Sequence, residues 1–254
     1  MPEVPDIAVF AIHLKTQFGG KTISKINVVN ANKLKDSPAR LSESLEGRVL
    51  EDIYRSGKEF RLIFSSGITL GMHLMLTGDV YTFQEKNEQK FTIIEFHFQD
   101  GSGIALTDRM RNAHVKLDPI DKDGVDVLEV DYTYMKGVLK GKAKIKDIML
   151  DQNIIRGIGN GYSDEILWES RISPFSAGSA IPDEKIKELA KNIREVILSA
   201  TGQILKAYPD LITGEIKEFL KIHRQKVSPT GWPIKIEKKG ARKTYFTDEQ
   251  VLYT

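Results

Sequence analysis

The sequence predicts an α+β fold: an N-terminal helix and an antiparallel β-sandwich, then an all-helical domain that ends in a small β-hairpin. Three observations carry this. Residues 3–18 set Ile7, Phe10, Ala11 and Leu14 at helical spacing, residues 21–118 hold seven short period-two runs, and after Asp118-Pro119-Ile120-Asp121-Lys122-Asp123-Gly124 the apolar period becomes helical. With 254 residues, 41% of them hydrophobic, the chain can bury the cores of two domains.

The first helix is expected to stop at Gly19-Gly20 and to hold the chain's first residues on a rigid element. β-type runs follow at 23–29, 49–54, 60–64, 68–75, 80–83, 91–98 and 104–106, parted by turn signals such as Ser65-Ser66-Gly67 and Gln99-Asp100-Gly101. The spacers are too short for crossover helices, so the strands pair antiparallel as a sandwich or barrel. Beyond the linker, 133–139 and 144–153 read as helices, and Asp183–Ala207 reads as a long amphipathic one with Ile186, Leu189, Ile193, Val196, Ile197 and Ala200 on its core face. From Val227 onward, Pro229-Thr230-Gly231 and Lys239-Gly240-Ala241 punctuate β-prone runs and predict the hairpin. The expected domains are residues 1–125, 126–222 and 223–254.

Composition narrows the chemistry. There is no Cys, which excludes disulfides and thiolate metal sites, and the five His show no ligand spacing, so neither metal nor cofactor is expected. No run of 18 apolar residues occurs, and Asp6 and His13 interrupt the apolar stretch at the start, so a soluble intracellular protein is expected. The net charge of +2 is unevenly spread: residues 221–254 hold eight Lys/Arg against three acids. Such a tail suits a polyanion, and equally a solvated Lys-rich hairpin.

Two segments carry chemistry. In Met1-Pro2-Glu3, removal of Met1, favoured by the small side chain that follows, exposes a secondary amine at Pro2. Terminal amines titrate at about 7.7 to 8.0, so an unprotonated fraction is present near neutrality. Attack of that nitrogen on a sugar C1′ gives an iminium directly, and Glu3 is the adjacent carboxylate for proton transfer. Many chains begin Met-Pro for no such reason. The second segment is Gly157-Ile158-Gly159-Asn160, read as a turn between an apolar helix and a further helix. Glycines there let backbone N–H groups approach an anion at a helix N-terminus, with Asn160 as a side-chain donor; the same turn also serves as a tight helix connection.

Pro2-Glu3, the β-sandwich and the Gly-Ile-Gly-Asn turn follow one another in the order of the formamidopyrimidine-DNA glycosylase and endonuclease VIII family, which the chain resembles over nearly its whole length. Arg55-Ser56-Gly57-Lys58 resembles the family's Arg-x-Gly-Lys hairpin, His73-Leu74-Met75-Leu76-Thr77-Gly78 its His-Leu loop, and Ile172-Ser173-Pro174 its Ile-x-Pro. The resemblance implies a helix-two-turns-helix domain and a zincless finger, in which packing of Trp232, Tyr245, Phe246 and Tyr253 replaces a metal. It also implies a bifunctional DNA glycosylase and abasic-site lyase of base-excision repair, a monomer working on damaged duplex DNA in the bacterial cytoplasm, at the nucleoid.

Site roles follow from the same resemblance. Pro2, Glu3 and Lys58 are the implied catalytic residues; Asn160, Arg242, Lys243, Gly157 and Gly159 are the implied DNA-backbone contacts; and Leu76, Met110 and Arg111 are implied to fill the space vacated by the extruded nucleotide. Two departures stand out. Asn112 falls where an aromatic wedge is expected, and Asn153 replaces a lysine, which leaves lesion choice and opposite-base preference open.

Overall fold

The computed structural model describes residues 1–254 and divides into two compact units. The first comprises Met1–Pro2, Asp6–Asp121 and Leu205–Ile216; the second comprises Glu3–Pro5, Lys122–Ile204 and Lys217–Thr254. No helix is long and apolar enough to cross a membrane.

Helix α1 (Val4–Phe18) buries Ile7, Phe10 and Leu14, and its Phe18 ring lies 5.0 Å from that of Phe98. Strand β1 (Ile23–Val28) leads to α2 (Pro38–Leu45), then β2 (Leu50–Ser56), β3 (Glu59–Phe64), β4 (Ile68–His73), β5 (Gly78–Gln84), β6 (Thr92–Phe98), β7 (Ser102–Asp108) and β8 (His114–Leu117). They form two four-stranded antiparallel sheets, β1-β6-β7-β5 and β2-β3-β4-β8, as the short spacers require. Alternation drives the faces: Leu50 and Ile53, Phe60, Leu62 and Phe64, and Leu70 and Met72 are buried along their strands.

In the first unit two elements, α2 and β8, are missing from the sequence expectation, although α2 is signalled locally. Ser37 caps it by accepting from the Arg40 N–H at 3.2 Å, Pro38 opens it, and Leu41 and Leu45 share one buried face. Strand β8 is four residues long, too short for its alternation to be read, and is fixed by pairing with β4.

The second unit contains β9 (Val125–Asp126), α3 (Tyr132–Val138), α4 (Ile145–Leu150), β10 (Ile155–Arg156), α5 (Asn160–Glu169) and α6 (Asp183–Ala207). Its core gathers Val4, Met135, Ile148, Ile166, Leu189 and Ile193, among others. The helix expected over 144–153 is corrected: it ends at Leu150, and a two-residue strand, not a helix, leads into the glycine turn. The Asp151 carboxylate accepts from the Asn153 N–H at 2.9 Å and turns the chain, after which Ile155 and Arg156 pair in parallel with Val125 and Asp126. Gln152 buckles the segment, donating to the Leu150 and Ile158 carbonyls and accepting from the Gly157 N–H.

Strands β11 (Lys235–Lys239) and β12 (Arg242–Phe246) make the terminal hairpin. Its staple differs from the expected aromatic set. Trp232 is 46% exposed; the ring that packs with Tyr245 and Ile222 is Trp168 of α5, while Phe246 meets Phe175 edge-on at 5.1 Å. A charged hub completes the staple. The Glu249 carboxylate accepts from Trp168 Nε1 (3.1 Å), Thr230 Oγ1 (2.7 Å), Thr247 Oγ1 (3.1 Å) and Ser228 Oγ (3.3 Å) and pairs with Arg171 at 2.6 Å. Burial would raise this carboxyl, but those hydrogen bonds and Arg171 prevail and hold it at about 2.

Candidate active site

Helix α5 has no capping side chain of its own, since Gly159 occupies the cap position. Its cap comes from the other end of the sequence. Glu3, 8% exposed, accepts from the Gly161 N–H through Oε1 at 2.8 Å and from the Tyr162 N–H through Oε2 at 3.2 Å. A helix N-terminus carries about half a positive charge, so a carboxylate is the favoured occupant. Gly159 is required by the close approach: a Cβ there would lie 2.2 Å from the Glu3 carboxyl carbon. The sequence reading gave this turn to a DNA phosphate. In the structure the Gly161 and Tyr162 N–H groups are taken by the protein's own Glu3, with Gly159 shaped to it, and the Gly157 N–H is taken by Gln152.

Pro2 is buried beside it in sequence, and the Met1 ammonium pairs with Glu215 at 3.2 Å. Lys58 is half-buried in the β2–β3 turn, directly after Gly57, whose φ of 57° closes that turn. The Arg55 guanidinium braces it by donating to the Gly57 carbonyl at 2.9 Å.

Asn160, the first residue of α5, donates from Nδ2 to the Lys243 carbonyl at 2.9 Å, so it ties the hairpin to the helix; its Oδ1 is buried without a partner. Arg242 and Lys239 are exposed and share Asp147, at 3.4 and 3.1 Å, and Lys243 is exposed on the same strand as Arg242. Beneath them lies a buried polar network that sequence reading missed. Lys146 Nζ donates to Asp164 (2.5 Å) and Thr244 (3.0 Å), and the other Asp164 oxygen meets His223 Nδ1 (2.7 Å) and the Tyr245 N–H (3.2 Å). Burial pushes the Lys146 pKa down, against the pull of Asp164. Lys146 and Thr244 alone lie 98 positions apart, so no local spacing could reveal it.

In the first unit Leu76, Met110 and Arg111 are exposed on two loops, Leu76 at 58% and Met110 at 53%. Asp108 joins the loops: it accepts from Thr77 Oγ1 (2.5 Å) and from the N–H groups of Met110 (2.9 Å), Asn112 (2.6 Å) and Ala113 (2.8 Å). Burial alone would raise the Asp108 carboxyl, but these four donors outweigh it and lower the pKa.

Residues 1–115 match the formamidopyrimidine-DNA glycosylase N-terminal domain and residues 124–206 the formamidopyrimidine-DNA glycosylase H2TH domain. The formamidopyrimidine-DNA glycosylase of Mycoplasma genitalium is 32% identical over 248 residues, which cover 90% of this chain and 87% of that one. The chain belongs to the formamidopyrimidine-DNA glycosylase family. The family member of Lactobacillus gasseri is 30% identical over the full length of both chains. Among solved structures, the Lactococcus lactis glycosylase bound to DNA with an oxidised pyrimidine superposes with a TM-score of 0.84 at 23% identity over 97% of this chain and 98% of that one, which fixes the fold. The glycosylase hairpin of this chain lies beyond both matched domains, and no group of three His, Asp or Glu side chains could hold a metal ion there or elsewhere. Glu249 and Trp168 hold it instead.

Proposed function

We propose that this chain is a bifunctional DNA glycosylase and abasic-site lyase of base-excision repair, acting on duplex DNA with damaged bases. One observation carries the reading: the carboxylate adjoining the only candidate terminal amine is buried and fixed by two helix amides. A structural cap needs no proline before it and no lysine hairpin.

Extrusion of the damaged nucleotide costs a few kcal/mol of unpairing and unstacking. Contacts of Asn160, Arg242, Lys243 and Lys58 with phosphates offset it, and Leu76, Met110 and Arg111 enter the vacated space. Deprotonated Pro2 then attacks C1′, and the base leaves with the glycosidic electron pair and takes up a proton. The Pro2 nitrogen, cationic once bonded to C1′, passes its proton to the Glu3 carboxylate, which delivers it to the sugar ring oxygen as the ring opens, leaving an iminium between Pro2 and C1′. That cation acidifies the C2′ proton, whose loss expels the 3′ phosphate; a second elimination expels the 5′ phosphate. Lys58 balances charge beside the amine. The bases excised are oxidised ones, and Asn112 in place of an aromatic weakens discrimination of the base opposite the lesion. The protein acts as a monomer in the bacterial cytoplasm, on nucleoid DNA.

Borohydride reduction tests the chemistry. Processed protein on duplexes with single lesions should give a covalent adduct, and a variant with one extra residue ahead of Pro2 should give none. Adduct from the blocked variant, or none from the processed protein on any lesion, overturns the reading.

A further inference from the structure

A third loop stands with the two that carry Leu76 and Met110. Its tip residue Phe91, just ahead of β6, is 51% exposed, and its carbonyl accepts from the Asp108 N–H at 3.0 Å. Phe91 therefore sits on the same carboxylate residue that organises both other loops. Thr77, Asp79, Tyr81, Lys90, Phe91 and Arg109 together line an open cavity of about 440 Å³.

Two features set Phe91 apart from an incidental surface ring. Its backbone is left-handed, with φ of 61°, a conformation that a bulky residue rarely adopts and that Gly or Asn would take without strain. Strain at an exposed aromatic, held by surrounding bonds, is what a functional constraint leaves behind. The neighbouring loops repeat the pattern, with Met75 at φ 56° before Leu76 and Arg111 at φ 54° after Met110. Charge is the second feature: Lys90 and Arg109 line the cavity with Phe91, and of the two acids there, Asp79 and Glu88, Asp79 is engaged by the Gly214 N–H at 3.1 Å. An exposed aromatic ring with Lys90 and Arg109 beside it matches a nucleobase on its phosphate backbone.

We propose that Phe91 is the aromatic stacking residue of this protein, presenting its ring to the unpaired base opposite the extruded nucleotide while Leu76 and Met110 fill the gap. The inference rests on the DNA-glycosylase reading and adds a specificity determinant to it. Stacking on a ring face accepts every base, so discrimination among opposite bases is weak, in keeping with Asn112 where an aromatic wedge is absent.

Duplexes with a stable abasic analogue, placed opposite each of the four bases or opposite a second abasic analogue, separate the outcomes. Phe91→Ala should bind the base-containing duplexes about 5- to 100-fold more weakly than the unsubstituted protein, and the doubly abasic duplex within about two-fold of it. With 2-aminopurine as the opposite base, the unsubstituted protein and Phe91→Trp should quench its fluorescence and Phe91→Ala should not. Equal losses on both kinds of duplex, or no loss, overturn the inference while borohydride trapping by the unsubstituted protein keeps the glycosylase reading. Failure of the unsubstituted protein to bind any of the duplexes overturns both.

Discussion

Glu3→Gln separates two tasks that fall on one carboxylate. The amide oxygen can still accept from the Gly161 or Tyr162 N–H, but the side chain can no longer deliver a proton. Single-turnover trapping should slow by about 10²- to 10⁴-fold, the usual worth of a positioned proton donor, with the melting temperature little moved. Gly159→Ala acts oppositely, through space: its Cβ would press on the Glu3 carboxyl at 2.2 Å, and thermal unfolding should show a loss of about 1–3 kcal/mol from overpacking. At this scale the sequence was legible where chemistry is local. Pro2 and Glu3 could be singled out because they adjoin in the chain and head a series of motifs in the family's order, whereas the partner of Glu3 lies 158 positions away and could not be.

Among the elements, the terminal hairpin depends on a carboxylate. Glu249→Ala would leave Trp168 Nε1 and the Thr230 and Thr247 hydroxyls without their acceptor, at about 1–3 kcal/mol for each one that stays buried. Hydrogen exchange of residues 242–246 should quicken, and DNA affinity should fall with it. Acid has the same effect. Because the Glu249 pKa is depressed in the fold, from 4.5 to about 2, its contribution is present above about pH 4.5 and is lost as pH falls toward 2. Exchange rates followed down that range should rise at the hairpin, and Glu249→Gln should flatten the dependence. The hairpin strands were readable from their turn glycines. The staple was not, because Trp168 and Trp232 are equally apolar in a sequence and only the position of α5 beneath the hairpin selects one of them.

For the molecule as a whole, the first unit is not contiguous in sequence. Leu205–Ile216 belongs to it and is tied by Asp6 to the Ile216 N–H (3.1 Å), by Asp79 to the Gly214 N–H (3.1 Å) and by His13 to the Leu211 carbonyl (2.8 Å). A fragment that ends at Ile204 loses those hydrogen bonds, and should melt at a lower temperature than the full chain. In the second unit, Asp164→Asn removes one charge from the buried Lys146 network and should cost about 3–5 kcal/mol in denaturant unfolding. Chelators should change neither melting nor DNA binding, since carboxylate and aromatic contacts hold the hairpin.

Sequence alone determined what depends on neighbours in the chain: the helix over residues 4–18, the antiparallel pairing imposed by short spacers, and the long amphipathic α6. Tertiary structure decided which anion fills the helix N-terminus, which tryptophan staples the hairpin, and which carboxylates, Asp108, Asp164 and Glu249, gather donors from distant segments. The physical reason is range. Periodicity and turn chemistry act over a few residues, whereas a buried polar group must find partners wherever the packed chain happens to bring them.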